Sequence, residues 1–492
     1  MLAYAVLAIV HYTFFLSTHA HSAAEPRVVD SDGICSQIEN AISSASDVYY
    51  FGELSYFKDI GHWASSSSQL SLCSVEPGTA QDVGIILGIL GTTQTPFAVK
   101  GGGHTANPGF SSTNGVQISM SRFSEVTYDA QSQTVVIGTG ITWDDVYAAL
   151  APHNVNVVGG RVSGVGVAGF TLGGGYSWLS NQYGMTVDTV TAFELVKPDG
   201  AVVTVTESSD ADLFFALRGG MNNFGIVTRF TLKTFPQGQV WGGLITYVAH
   251  HVDDVTKAAA TFSATVTDPK ASIITTYNFV LGSIGISQLL FYDGPTVPDG
   301  IFDDFLAIPH FTKNVKTRDF LDLVKTPPSD ITIGQRGIFH TVPLLEITPA
   351  ILEAVVNETM FWGSRLSLLS GNFISYQVEP FLPGVLSHAS SPSAYPPSRS
   401  VMYLPFNVYY AWTFSFSDSK FHDTIRASVQ HLTNVAVAEG QSGVETASPY
   451  PNYAMYDTPV TRIYGENLGR LQSVKARVDP SNIMRLTGGF KV

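Results

Sequence analysis

The chain has 492 residues, more than one hydrophobic core usually serves, so two domains are expected. Only 13% of residues are charged, while 45% are hydrophobic and 12% aromatic, the make-up of a folded protein with a large interior. A net charge of −14 with no basic run argues against nucleic acid and anionic membrane as partners.

The N-terminus reads as a cleaved secretory signal over residues 1–24. Leu2 to Val10 is almost wholly apolar, Phe14-Phe15-Leu16 extends it, and the small residues Ser22-Ala23-Ala24 follow. The usual Lys or Arg is missing from its start. His11 and Thr13 interrupt the run, which leaves it short of the roughly 20 apolar residues a membrane span needs. No later segment looks membrane-spanning, so no membrane contact is expected after signal removal. Cys35 and Cys73 are the only cysteines. In a secreted chain such a pair most simply forms one disulfide, with two buried thiols as the alternative. Asn357-Glu358-Thr359 is a glycosylation sequon consistent with that compartment.

From about residue 70 to 235, short β-like runs alternate with short helices. Thr134 to Ile137 reads as a strand. Thr142 opens a capping box and a helix whose Trp143, Val146 and Leu150 share a face. Val190 to Val196 and Ala201 to Val205 flank Lys197-Pro198-Asp199-Gly200, a hairpin turn. Leu213 to Leu217 looks helical and stops at Gly219-Gly220.

Beyond Trp241 the glycine motifs vanish. Apolar and aromatic segments alternate with longer helical stretches, Asp253 to Thr265 and Asp418 to Glu439. This predicts an α+β domain in which a sheet carries the substrate pocket. Ser387 to Ser400, rich in proline and serine, must be a loop; such loops line site mouths or simply link surface elements. Tyr403 to Trp412 reads as a strand with alternate residues on one face.

The most informative stretch is Lys100-Gly101-Gly102-Gly103-His104. Three glycines let backbone approach a bulky charged ligand, and a histidine at the end of that loop can bond it. A second glycine-rich run extends from Gly159-Gly160 to Gly173-Gly174-Gly175-Tyr176. Together they suggest a cofactor cradle. Within the second run, Gly164, Gly166 and Gly169 satisfy the dinucleotide-binding pattern, with Asp188 19 residues further on. That pattern needs a helix opening at the second or third glycine. Here Phe170-Thr171-Leu172 runs into three glycines that would break such a helix, so a nicotinamide site is set aside, though the glycines still suit pyrophosphate contact. Metal binding is not expected, because the histidines are scattered and His250-His251 is only a neighbouring pair. No hydrolase elbow occurs, and His388 is expected to be exposed.

Pro96 to Gly115, Gly164 to Tyr183, Leu213 to Phe230 and Tyr450 to Asn482 together resemble the FAD-linked oxidases. More narrowly, they resemble the berberine-bridge-enzyme-like branch of the vanillyl-alcohol-oxidase superfamily, in the same order along the chain. The resemblance implies a two-domain α+β flavoprotein with a PCMH-type FAD-binding domain over 25–238. A substrate domain built on an antiparallel sheet with helices would occupy 239–445, and a closing segment over 446–492 would return to the FAD domain. It also implies FAD bonded covalently through His104 to the flavin 8α-methyl. Lys100, Gly101, Gly102, Gly103, Gly164, Gly166, Gly169, Gly173, Gly174, Tyr176, Ile226 and Asn452 would bind the cofactor. Many relatives carry a second, cysteinyl link; its position falls at Val162, so one link is expected here.

The resemblance further places the family's asparagine–tyrosine pair at Asn452 and Tyr453. Tyr453 would act as catalytic base, which requires a phenol perturbed from its usual pKa of about 10 toward neutrality. Some relatives carry a glutamate base at the position of Asn407, and an amide cannot replace it. Asn407 and Tyr409 are therefore read as pocket-lining residues. The expected function is a secreted oxidase that passes hydride from a small apolar or aromatic alcohol or amine to flavin. Molecular oxygen would reoxidise the flavin and give hydrogen peroxide. A dehydrogenase with another acceptor, or a degenerate flavin-fold binding protein, stands as the alternative; oligomeric state is left open.

Overall fold

A computed structural model describes residues 33–329 and 331–492; the expected signal over 1–24 lies outside them. Four strands form the first sheet: β1 (Asp47–Tyr49), β2 (Cys73–Glu76), β3 (Phe97–Lys100) and β4 (Val116–Ser119). Their order is β1-β2-β4-β3, with β2 and β3 parallel to β4 and β1 antiparallel to β2. A disulfide between Cys35 and Cys73 ties the helix Ile34–Ala41 to β2.

The next elements are β5 (Val126–Asp129), β6 (Thr134–Gly138), β7 (Val155–Asn156), β8 (Val190–Val196), β9 (Val202–Val205), β10 (Ile226–Lys233) and β11 (Phe235–Pro236). Five of them form an antiparallel sheet ordered β5-β6-β10-β8-β9, while β7 and β11 make a separate ribbon. Alternation drives one face of this sheet inward. Val135, Ile137, Phe193, Leu195, Phe230 and Leu232 are buried with Trp143, Val146 and Leu150 of the helix Trp143–Leu150. That helix begins with the capping box of Thr142 and Asp145. The β8–β9 hairpin closes through Lys197 and Gly200, as its turn residues predict.

A third, seven-stranded antiparallel sheet follows: β12 (Val240–Val248), β13 (Ala271–Val280), β14 (Ser283–Tyr292), β15 (Thr312–Arg318), β16 (Arg336–Leu344), β17 (Gly371–Val378) and β18 (Leu404–Trp412). Its order is β15-β12-β14-β13-β17-β18-β16. One face is apolar: Tyr277, Ile286, Ile374, Tyr376, Val408 and Tyr410 join a core with the helices Val252–Thr265, Pro349–Leu366 and Asp418–Ala438. The other face turns toward the first two sheets. There Phe291 stacks on Trp178 at 5.4 Å, and Ile274 and Leu289 enter the core of the second sheet.

The last residues run back across the molecule. Asn107 Nδ2 donates to the Ala454 carbonyl (2.9 Å), Asn223 Nδ2 to Phe490 (2.8 Å) and Lys475 Nζ to Asn223 (3.0 Å).

Three local features refine the sequence reading. A helix does open at Gly166, over Val167–Leu172, but it lasts only six residues before Gly173 ends it. The glycine run stops the helix rather than preventing it. The loop 387–400 does not line the cavity: Ser393, Ala394 and Tyr395 are buried, and Arg399 pairs with Asp188, which also pairs with Arg218. Asn357 is exposed, yet it sits mid-helix, and the Thr359 hydroxyl of its sequon is buried and donates to the Val355 carbonyl.

Candidate active site

One large cavity, about 780 Å³, lies between the glycine loops and the seven-stranded sheet. Backbone dominates one wall. Gly101, Gly102, Gly103, Gly166 and Gly169 line it, with Ile226, Asn222 and Phe490 further along. The two glycine loops touch: a Cβ on Gly102 would stand 2.4 Å from Gly166 Cα, and one on Gly166 2.6 Å from Gly102 Cα. Any side chain at either place would force the loops apart. A Cβ on Gly169 would meet nothing within 4 Å, so that backbone faces open space.

His104 sits at the end of this wall. Trp63 stacks on its ring at 4.7 Å and 15°. Burial lowers its pKa to about 4, so the imidazole is neutral at physiological pH, the form with a free lone pair. Val162 lines the same cavity with an alkyl side chain. Both cysteines are consumed by the disulfide, so no thiol is free.

The same cavity holds a buried charged cluster that sequence reasoning missed. Arg161 Nη2 donates to Glu379 Oε2 (2.6 Å) and to Tyr453 Oη (2.8 Å), and Tyr453 Oη donates to Glu379 Oε1 (3.0 Å). The Glu379 side chain is wholly buried and that of Arg161 nearly so. All three line the cavity. Burial pushes the Glu379 carboxyl above its ordinary range, and Arg161 and Tyr453 hold it back. The Tyr453 phenol goes up, not toward neutrality, first because it is buried and then because Glu379 lies beside it. A simple tyrosinate base therefore does not fit these surroundings. A tyrosine that passes its proton to the neighbouring carboxylate does.

Asn452 Nδ2 donates to the Phe170 carbonyl (3.1 Å) and to Tyr450 Oη (2.8 Å), so its side chain is held in place. Gly173 makes that possible, because a Cβ there would lie 2.1 Å from Asn452 Oδ1. Asn407 and Tyr409, on the same face of β18, both line the cavity. Lys100, Gly164, Gly173, Gly174 and Tyr176 lie off its wall. Lys100 Nζ instead donates to the Lys58 carbonyl (2.7 Å), and Tyr176 packs edge-on against Tyr450 at 4.9 Å. His388 is exposed and also off the wall. Among the described residues no group of three or more metal-ligating side chains comes together, and no helix is long and apolar enough to cross a membrane.

A neutral histidine after a glycine loop, a backbone-lined wall and a tyrosine–carboxylate pair line the same cavity. The residues fit FAD, since glycine backbone can follow a dinucleotide where a side chain would collide. Comparison with known proteins bears this out. Residues 71–206 match the model for an FAD binding domain, and residues 449–489 the model described as berberine and berberine like. The chain is 30% identical over 456 residues to the FAD-dependent monooxygenase FUP4 of Fusarium proliferatum, covering 88% of this chain and 87% of that one. It is 38% identical over 279 residues to an uncharacterized FAD-linked oxidoreductase of Arthroderma benhamiae, where the match spans about half of either protein (56% and 56%). Among solved structures, glucooligosaccharide oxidase from Acremonium strictum superposes with a TM-score of 0.73 at 17% identity, over 92% of this chain and 98% of that one. The description of that protein names a 6-S-cysteinyl, 8α-N1-histidyl FAD.

The chain belongs to the FAD-linked oxidoreductases, in their berberine-bridge-like branch. It is an FAD-dependent enzyme with the two-domain α+β fold of that family.

Proposed function

We propose that this enzyme is an oxidase for a small alcohol or amine carrying an aromatic or otherwise flat reacting end. FAD, when bound, supplies the hydride acceptor and hands the electrons on to oxygen. The Arg161–Glu379–Tyr453 cluster, lining one cavity with the glycine loops, is the observation that carries this reading. Tyr453 takes the proton from the substrate O–H or N–H as its own phenolic proton passes to Glu379. Arg161 keeps that carboxylate ionised and aimed. The substrate loses two hydrogens as hydride and proton, and oxygen collects both as hydrogen peroxide. Asn452 orients the tyrosine segment.

His104 would carry the covalent bond to the flavin, supported by its neutral imidazole. Val162, and the absence of a free thiol, support a single link. The division into an FAD-binding unit (25–238), a substrate unit (239–445) and a returning segment (446–492) belongs to the same proposal. It is supported by the bonds from Asn107 and Asn223 to the last residues. The disulfide supports passage through an oxidising compartment.

A panel of aromatic alcohols and amines, read by peroxide release from wild type and Tyr453→Phe, tests the reading. Turnover that survives the substitution intact would sink it. The name of the Fusarium relative favours a second reading, oxygen insertion. Labelled oxygen appearing in the product, with no stoichiometric peroxide, would select that reading.

A further inference from the structure

The substrate side of the cavity is organised by the register of the large sheet. Thr312, Thr246, Ser287, Thr276, Gln377 and Asn407 are directly paired in succession across β15, β12, β14, β13, β17 and β18. Residues paired in this way share one face of a sheet. All six line the cavity. Every one carries a hydroxyl or an amide, and none a charge. The aromatic residues that dominate this domain's composition lie largely on the opposite face, in the helix-packed core.

Several polar atoms on the cavity face have no hydrogen-bond partner among the described residues. They are Asn407 Oδ1, Asn278 Oδ1, Ser375 Oγ and Tyr409 Oη, on residues 1%, 6%, 0% and 3% exposed. Asn278 and Ser375 are paired with each other in the neighbouring row, and both line the cavity. Buried polar atoms are rarely left unmatched unless something else satisfies them. Four on one face of one cavity mark positions where a ligand exchanges hydrogen bonds.

The end of the row nearest Tyr453 has a different character. Phe339 lies nearly parallel to Trp63 (5.8 Å, 22°) and to Tyr453 (6.4 Å, 20°), with Tyr409 4.5 Å from it. Near-parallel rings of this kind favour a flat unsaturated group. Among the described side chains lining the cavity, Arg161 and Glu379 are the two that carry a full charge at neutral pH, and they bond each other.

We propose that the substrate is a molecule with a flat, unsaturated reacting head and a hydroxyl-rich extension. The head rests by Phe339 and Tyr453, and the extension lies along the row from Asn407 toward Thr312. Neighbouring strands are about 4.8 Å apart, so the five spacings between β18 and β15 cover about 24 Å, more than one sugar-sized unit. This rests on the reading of Tyr453 as the residue at the reacting end and adds the class of molecule that reaches it. The sequence reading expected an apolar or aromatic metabolite; the polar row limits that description to the head.

Calorimetric titration of the holoenzyme tests this through binding rather than turnover. Three probes share a 4-(hydroxymethyl)phenyl head and differ in the group on the phenolic oxygen: β-D-glucosyl, 2,3-dihydroxypropyl or n-hexyl. The glucoside is expected to bind at least about tenfold more tightly than the hexyl ether, the effect of one or two additional hydrogen bonds. The diol ether separates two sources of the same chemistry. If it also outbinds the hexyl ether, a linear polyol suffices; if only the glucoside does, a ring is required. Gln377→Leu and the near-isosteric Thr276→Val are each expected to lower the glucoside-to-hexyl preference about fivefold or more. A hexyl ether that binds as tightly as the glucoside would overturn the proposal, as would a preference unchanged in both variants. Tight glucoside binding without peroxide from any probe would count against the oxidase reading alone.

Discussion

The phenolic hydroxyl of Tyr453 donates to the carboxylate of Glu379 at 3.0 Å, across 74 residues of sequence. The bond joins the closing segment to the end of β17, and Arg161 contacts both partners from the second glycine-rich run. Three separate stretches of chain thus meet in one buried hydrogen-bonded cluster. In the proposed mechanism the tyrosine is a conduit, and the carboxylate is where the proton comes to rest.

Tyr453→Phe should slow anaerobic flavin reduction by about 10²- to 10⁴-fold, the usual worth of a positioned proton-transfer group. Glu379→Gln should do the same without displacing the ring. The pH profile separates the roles. Glu379 must be ionised to accept the proton, and its pKa is raised by burial, so the rate should fall on the acid side at a pH above the ordinary carboxylate range. In Arg161→Met the positive charge that restrains this shift is gone, so the acid limb should move to higher pH. Arg161→Lys should return it part of the way. An acid limb unmoved in Arg161→Met would remove Arg161 from this role.

Gly102→Ala tests the contact between the glycine loops. Its Cβ would stand 2.4 Å from Gly166 Cα, a distance no pair of carbons tolerates. The loops must separate, and the purified variant should retain much less flavin than wild type, read from the ratio of visible to ultraviolet absorbance. Gly88→Ala, where a Cβ would meet nothing within 4 Å, should leave that ratio unchanged.

Much of the first domain is legible in the sequence because its signals are local. The capping box at Thr142 needs only Asp145, and the β8–β9 turn needs only the four residues from Lys197 to Gly200. Glu379 is different. On the page it is one acid after an apolar strand, and nothing near it names Arg161, 218 residues earlier, as its partner. Strand β18 is legible as an element, but all nine of its residues are buried, so burial alone does not mark which of its two faces lines the cavity. The polar row likewise exists only in the register of six strands.

Asp188 illustrates the same blindness and gives a stability prediction. Its side chain is wholly buried between Arg218 and Arg399 and holds the loop 387–400 against the FAD-binding side of the molecule. Asp188→Ala leaves two guanidinium groups without their counter-charge and should cost about 3–5 kcal/mol in chemical denaturation. Asp47→Ala, which removes a largely exposed partner of Arg122, should cost no more than about 1 kcal/mol. Equal losses would contradict the burial argument.

Burial also lowers His62 and His340 to a pKa of about 4. In the unfolded chain both would titrate near 6.5. Between those values the unfolded state binds more protons than the folded one, so stability falls as pH drops from about 6.5 toward 4. Each histidine contributes up to about 3 kcal/mol to that loss. Denaturation midpoints across this range should decline less steeply in His62→Gln than in wild type.

The central claim is that this chain holds FAD in the cavity between the glycine loops and the sheet, bonded through His104 alone. The visible spectrum of the purified protein before and after acid precipitation tests it most directly. The account predicts yellow colour that stays with the precipitated wild-type polypeptide and passes to the supernatant, or is lost, in His104→Ala. Colour released from wild type would contradict the covalent link, and folded protein without any flavin would contradict the site itself.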